Sequence, residues 1–237
     1  MDLEQFSELA QTRRAMRRFK TDAIPEGLLE KLLNAARWAP SGYNLQPTHF
    51  VVVNDPRIKE RLCTACFSQP QVKTAPATVV FVGDPQVVRN NLDRMIAMEQ
   101  ECGATNDEYA GVLRKYVRLA FDTGPAGIGW LLKATLAPLM SVVKVVPSLP
   151  AVHRRFWLTK QVMLAAMNFM LAATAAGLDT IPMEGFDEAK VKSLLRIPRS
   201  HCVPVVIPVG YGDMADLKKS RLPLDGMVHE NKWAPSF

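Results

Sequence analysis

Four short segments carry residues suited to gripping an anionic, heteroaromatic small molecule. The first is Arg13-Arg14-Ala15-Met16-Arg17-Arg18. Crowding four guanidiniums into six residues is costly unless an anion compensates them, and planar paired donors suit phosphate oxygens. A solvated basic face at a helix C-terminus, favoured by the helix dipole, accounts for the same run. The second is Pro40-Ser41-Gly42-Tyr43-Asn44-Leu45-Gln46-Pro47, whose Ser, Asn and Gln offer neutral donors and acceptors to a sugar or a heteroaromatic edge. The third, Ile181-Pro182-Met183-Glu184-Gly185-Phe186, is a turn able to present a backbone N–H. The fourth, Lys218-Lys219-Ser220-Arg221, is a further cationic cluster and a candidate phosphate clamp. Taken singly, each also fits a plain polar turn or a solvated surface.

Other chemistries find less support. Cys63-Thr-Ala-Cys66 has no second Cys or His pair to complete a zinc site, and reads as two thiols on a helix that Asp55-Pro56 starts. His49, His153, His201 and His229 lack metal-ligand spacing. Gly210-Tyr-Gly212-Asp-Met-Ala215 fits G-x-G-x-x-A, but Lys218, Lys219 and Pro223 follow where a dinucleotide fingerprint needs a long apolar helix. There is no P-loop and no nucleophile elbow.

The elements that must position these segments follow from periodicity. Helices are expected over residues 2–16 and 26–38, from Asp55 to about Cys66, and over 86–101 and 107–121. A central helix over 157–176 is apolar nearly all round, with Gly177 as its C-terminal cap, and a short helix runs from Asp187 to about Leu195. Strands are expected at 49–53, 78–82 and 204–210. The last 25 or so residues read as an extended tail. Strands separated by long helices indicate a sheet with helices packed on it, and no linker divides the chain.

Residues 124–152 are apolar but interrupted by Lys133, Pro138, Lys144 and Pro147, short of the ~20 uncharged residues a spanning helix needs. Their prolines and glycines argue against one rigid helix. A mobile wall of a substrate cleft, an ordinary packing segment and a membrane-surface helix stay open.

The chain has 237 residues, 48% of them hydrophobic, enough for a sizeable core. Its net charge of +6 suits anionic partners, but no Lys/Arg block interleaved with aromatics points to nucleic acid. MDLEQFSELA lacks the basic and apolar regions of a signal peptide, and the four cysteines read as reduced thiols, so a cytoplasmic location is expected.

In order and spacing the four motifs, together with Lys160-Gln161-Val162 on the central helix, resemble the nitroreductase family. The resemblance covers most of the chain except roughly 100–155. It implies an α+β fold over residues 1–237, with a central mainly antiparallel sheet flanked by helices, interlocked as a homodimer, and an atypical apolar insertion at about 122–155. It implies an FMN-dependent oxidoreductase that passes hydride from NADH or NADPH through flavin N5 to nitroaromatic, quinone or related acceptors, needing no protein general acid. Arg13, Arg14, Ala15 and Arg17 would line the flavin from one side, with Lys219 and Arg221 joining Arg13 at the phosphate. Ser41, Gly42 and Asn44 would come from the other subunit. Pro182, Met183, Glu184 and Gly185 would lie over the isoalloxazine, the Glu184 N–H near N5. Ser68 and Gln71 match positions at the pyrimidine edge. Some relatives carry Asn and Lys there, and a neutral Gln stabilises an anionic reduced flavin less than Lys. Flavin fragmentation, reductive dehalogenation and a non-catalytic flavin-binding or membrane-peripheral module are the rival readings.

Overall fold

A computed structural model describes residues 2–123, 128–141, 150–213 and 218–233. Its centre is a four-stranded sheet of order β1-β2-β4-β3, formed by β1 (Thr48–Val53), β2 (Ala77–Gly83), β4 (Cys202–Gly210) and β3 (Asp179–Thr180). Every strand pair is antiparallel, as the family resemblance implies. β2 is buried along its whole length, which is why Thr78-Val79-Val80-Phe81-Val82 reads as a continuous β-branched and aromatic run rather than an alternating one.

One face of the sheet carries α8 (Arg154–Ala175) and α2 (Leu28–Arg37). Phe81 meets Phe50 and Phe169 edge-on at centroid distances of 5.3 and 5.5 Å, fixing the sheet to α8. Gly177, at φ 74, follows the α8 C-cap Ala176 in the left-handed conformation that glycine adopts without cost. Among the described residues α8 alone is long and apolar enough to cross a membrane, yet Val162, Ala166, Phe169 and Ala173 bury it against the sheet.

The opposite face packs on α3 (Pro56–Ala65) and α9 (Glu188–Leu195), with Met16 and Ile181 in the same cluster. Asp55 and Asp187 accept backbone N–H bonds at the starts of α3 and α9. A third cluster joins α5 (Val87–Glu101) and α6 (Asp107–Phe121) to Leu45. The one-turn α4 (Gln71–Thr74) precedes β2.

Three departures from the sequence expectation fall in two elements, α1 (Leu3–Thr12) and α7 (Ile128–Ser141). α1 ends at Thr12, not residue 16, because the chain straightens at Arg13 (ψ 131) and joins the sheet edge: Met16 N–H donates to Thr180 O at 3.1 Å. α1 (Leu3–Thr12) buries no residue at all, despite its Leu3, Phe6 and Leu9 stripe. The third is α7 (Ile128–Ser141), a 14-residue helix that continues through Pro138. A single internal proline removes one main-chain bond, and the flanking turns hold the helix. Residues 124–127 and 142–149 of that apolar segment, with Lys144, lie outside the described residues.

The G-x-G pair proves to be a packing device. A Cβ on Gly210 would lie 2.4 Å from Pro76 Cδ, and one on Gly212 would lie 2.4 Å from Met16 Cε. The Pro76 ring cannot swing aside. Gly210→Ala is therefore expected to lower stability by about 1–3 kcal/mol in urea unfolding. An unchanged midpoint would mean that the β4 end yields freely.

Candidate flavin site

The Arg13–Phe19 segment lies along the β3 edge. Ala15 bridges Thr180, Phe19 bridges Gly212, and Asp213 N–H donates to Arg18 O at 2.9 Å. This pairing leaves Arg17 exposed and Arg13 and Arg14 half-buried. It also sets the arginines beside the strand that runs directly into the Pro182–Gly185 turn. Met183 is held by two bonds with Val206 (2.9 and 3.0 Å), while Glu184 and Gly185 face outward.

The cationic tail closes on the same arginines. Partial burial, then the charges of Arg14, Arg13 and Arg221, hold the Lys219 ammonium below the ordinary lysine range. Four cations from residues more than 200 positions apart thus share one locality. Arg13 Nη1 and Arg14 Nη1 are buried without a hydrogen-bond partner. Buried, unpaired guanidinium nitrogens are unfavourable unless an anion meets them, and a phosphate monoester has the required charge and oxygens.

The Ser68–Gln71 turn reaches this side through a residue that sequence reasoning missed. Gln71 is 5% exposed and its Nε2 donates to Gln69 Oε1 at 2.9 Å. Gln69 Nε2 in turn donates to Gly185 O at 2.9 Å, tying the turn to the Pro182–Gly185 backbone. Ser68 sits at φ 56, with its N–H on Cys63 O at 2.8 Å. Asn tolerates that left-handed conformation better than Ser.

The Ser41–Gln46 loop stands apart. Its two ends, Ser41 and Gln46, line a groove of about 400 Å³ with Arg37, Arg94, Met98 and Gln161, and none of the Arg13–Arg17, Pro182–Gly185 or Lys219–Arg221 residues contributes to that lining. Tyr43, Asn44 and Gln46 all have positive φ (55, 49 and 52°). Such backbone persists only where its surroundings dictate it. Here Gly42 N–H donates to Gln161 Oε1 at 2.8 Å, Asn44 Nδ2 to Glu99 Oε1 at 2.8 Å and Gln46 N–H to Ser41 Oγ at 2.9 Å. Glu99 has no motif to mark it, whereas Gln161 lies in the Lys-Gln-Val motif, two turns into the central helix α8. A Cβ on Gly42 would press within 3.2 Å of the Trp157 ring, so the loop needs glycine there for close approach.

Cys63 and Cys66 are buried free thiols on α3 and its C-cap, as the helix reading expects. Burial, with the neighbouring Cys63, pushes the Cys66 thiol up to about 12, far from a reactive thiolate. Among the described residues no group of His, Cys, Asp or Glu could hold a metal ion.

An antiparallel α+β sheet bearing an arginine-rich edge, a Pro-x-Glu-Gly turn and a second polar loop defines a nitroreductase-class oxidoreductase. Residues 10–211 match the Nitroreductase family, and the chain belongs to it. Among its relatives is an NADH dehydrogenase of Thermus thermophilus, 31% identical over 91% of each chain. An oxygen-insensitive NAD(P)H nitroreductase of Enterobacter cloacae is 28% identical over 85% of this chain and 87% of its own. A solved nitroreductase-like protein of Streptococcus mutans aligns over 98% of this chain and 100% of its own, with TM-score 0.77 and 25% identity.

Proposed function

We propose that the protein binds FMN in a site shared by two subunits, and moves two electrons from NADH or NADPH to a small acceptor such as a nitroaromatic, quinone or enone. The observation that carries the reading is the pair of buried, unpaired nitrogens on Arg13 and Arg14 beside Lys219 and Arg221. That donor set fits one phosphate monoester. When bound, FMN supplies hydride-transfer chemistry between a reduced nicotinamide and the acceptor.

The chain's own residues bind and orient. Arg13, Lys219 and Arg221 hold the phosphate, and Arg14, Ala15 and Arg17 line the flavin from the same edge. Ser68 and Gln71 face the pyrimidine edge, Gln71 being steadied by the Gln69–Gly185 link. Pro182, Met183, Glu184 and Gly185 present backbone rather than an acid to the heterocycle. Ser41, Gly42 and Asn44 come from the second subunit, a reading supported by the groove beside Ser41, whose lining contains none of the cationic edge. The exposed face of α1 (Leu3, Phe6) and the exposed tail (Leu222, Leu224) are apolar surface that such a dimer buries.

The expected result is a yellow protein that releases FMN on heating, scatters light as a dimer at micromolar concentration and oxidises NADH or NADPH steadily when given a nitroarene. Tightly bound FAD, or a colourless protein that FMN does not reconstitute, would overturn the reading.

A further inference from the structure

The surface built by α6, α7 and the start of α8 is two-faced and carries none of the residues assigned above to the flavin site. α6 buries Ala110, Leu113, Val117 and Phe121 in the core. It exposes a second stripe at helical spacing, Tyr109, Val112, Tyr116 and Leu119, the last at 59%. α7 carries the same pattern outward through Ile128, Leu131, Leu132 and Leu136. The two helices are fixed to one another: Lys133 Nζ donates to the Leu119 and Asp122 carbonyls, and Trp130 N–H donates to Thr123 O at 3.0 Å. Lys133 therefore caps α6 and is not held out at the helix edge.

The start of α8 meets the same corner. Ala151 N–H donates to Ala120 O at 3.1 Å, and Arg154 Nη2 to Phe121 O at 3.1 Å. Beyond it Phe156 is 65% exposed, with the Lys160 ammonium 4.8 Å from its ring centroid.

Charge decides what such a surface fits. Beside the Leu119 end of the α6 stripe lies a groove of about 930 Å³ holding Arg89, Lys115, Arg118 and Arg154 against two carboxylates, Asp93 and Asp122. Arg118 and Arg114 both engage Asp93, at 2.8 and 3.4 Å, so that carboxylate is already shared. Arg154 also stands in the first turn of α8, where the helix dipole disfavours cations, while Arg155 beside it is already paired with Glu188 at 2.7 Å. A cationic groove bordering exposed aliphatic and tyrosine side chains matches an interface of phosphate headgroups above acyl chains.

We infer that this three-helix surface docks on an anionic lipid bilayer. The aliphatic stripes of α6 and α7 enter the headgroup–acyl boundary, and Lys115 with the groove arginines meets lipid phosphates. The chain does not span the membrane through this surface.

Co-sedimentation of the intact, FMN-loaded protein tests it, with vesicles of 30% phosphatidylglycerol in phosphatidylcholine compared with phosphatidylcholine alone. The expected result is partition onto the anionic vesicles that falls in high salt and is at least about tenfold weaker on the neutral ones. Leu131→Glu with Leu132→Glu should reduce partition at least about tenfold, and Lys115→Glu at least about fivefold, with light scattering and flavin content unchanged. Equal sedimentation of the Leu131/Leu132 variant, or no partition onto anionic vesicles, overturns the inference. So does a wild-type protein whose oligomeric state, rather than its lipid binding, is what the Leu131/Leu132 substitution changes, because a second copy would then cover this face.

Discussion

Arg13→Ala is expected to weaken FMN binding by about 10- to 150-fold, and also to raise the melting temperature of the flavin-free protein. The two effects have one cause. With flavin bound, Arg13 makes charge-assisted bonds of roughly 1.5–3 kcal/mol to phosphate. Without it, Arg13 Nη1 is buried and unpaired beside Arg14, Lys219 and Arg221, so removing the guanidinium relieves repulsion and an unsatisfied donor together. Titration of flavin fluorescence gives the first quantity and thermal unfolding of the deflavinated protein the second. Weaker binding accompanied by a lower melting temperature would make Arg13 a structural residue instead.

The same cluster gives a pH sign. Partial burial and the neighbouring arginines lower the Lys219 pKa in the free protein, whereas an arriving phosphate dianion raises it. Binding therefore favours the protonated form. FMN affinity is full below the free-state pKa of Lys219 and falls as pH rises through its bound-state value.

The segments proposed to form this site stand out in the sequence for reasons that differ from one to the next. Arg13–Arg17 stood out because crowded guanidiniums suit an anion, although a solvated helix end fitted them equally; the structure leaves Arg13 Nη1 and Arg14 Nη1 buried and without a hydrogen-bond partner. α6 matched its expected bounds because its buried face recurs at helical spacing and Asn106 caps its start. The end of α1 was misplaced because Met16 continues the apolar period yet is taken by the sheet edge, a long-range contact with Thr180 that no local pattern records. β3 is only two residues long and was absorbed into the turn. Gln69 could not be found from spacing, since its role depends on the 116-residue separation from Gly185 across the fold. For α7 the prolines and glycines weighed too heavily, because those inside the helix cost less than its apolar turns return.

Two variants, each without a working flavin site, should restore one another when combined. Arg221→Ala removes a phosphate ligand from the cationic edge. Gly42→Val drives a Cβ and its branches toward Trp157, whose ring already lies within 3.2 Å of that position, and so displaces the Ser41–Asn44 loop. If both elements served one flavin within one chain, a mixed population would contain no intact site. The geometry separates them: the loop's groove is walled by α2, α5 and α8, while the cationic edge lies along β3 and the Lys219–Arg221 tail. In a twofold dimer with shared sites, each heterodimer pairs an unaltered loop from one subunit with an unaltered clamp from the other. One of its two sites is then whole and the other doubly defective. Random reassortment makes about half of the dimers mixed, so about a quarter of all sites should bind FMN and turn over NADH at the wild-type rate. Co-expression with different affinity tags, followed by sequential purification of the mixed dimer, raises that to about one site in two. Flavin absorbance per chain and nitroarene-dependent NADH oxidation should rise together. A purified mixed dimer as empty and inactive as its parents would place loop and clamp on the same subunit's flavin.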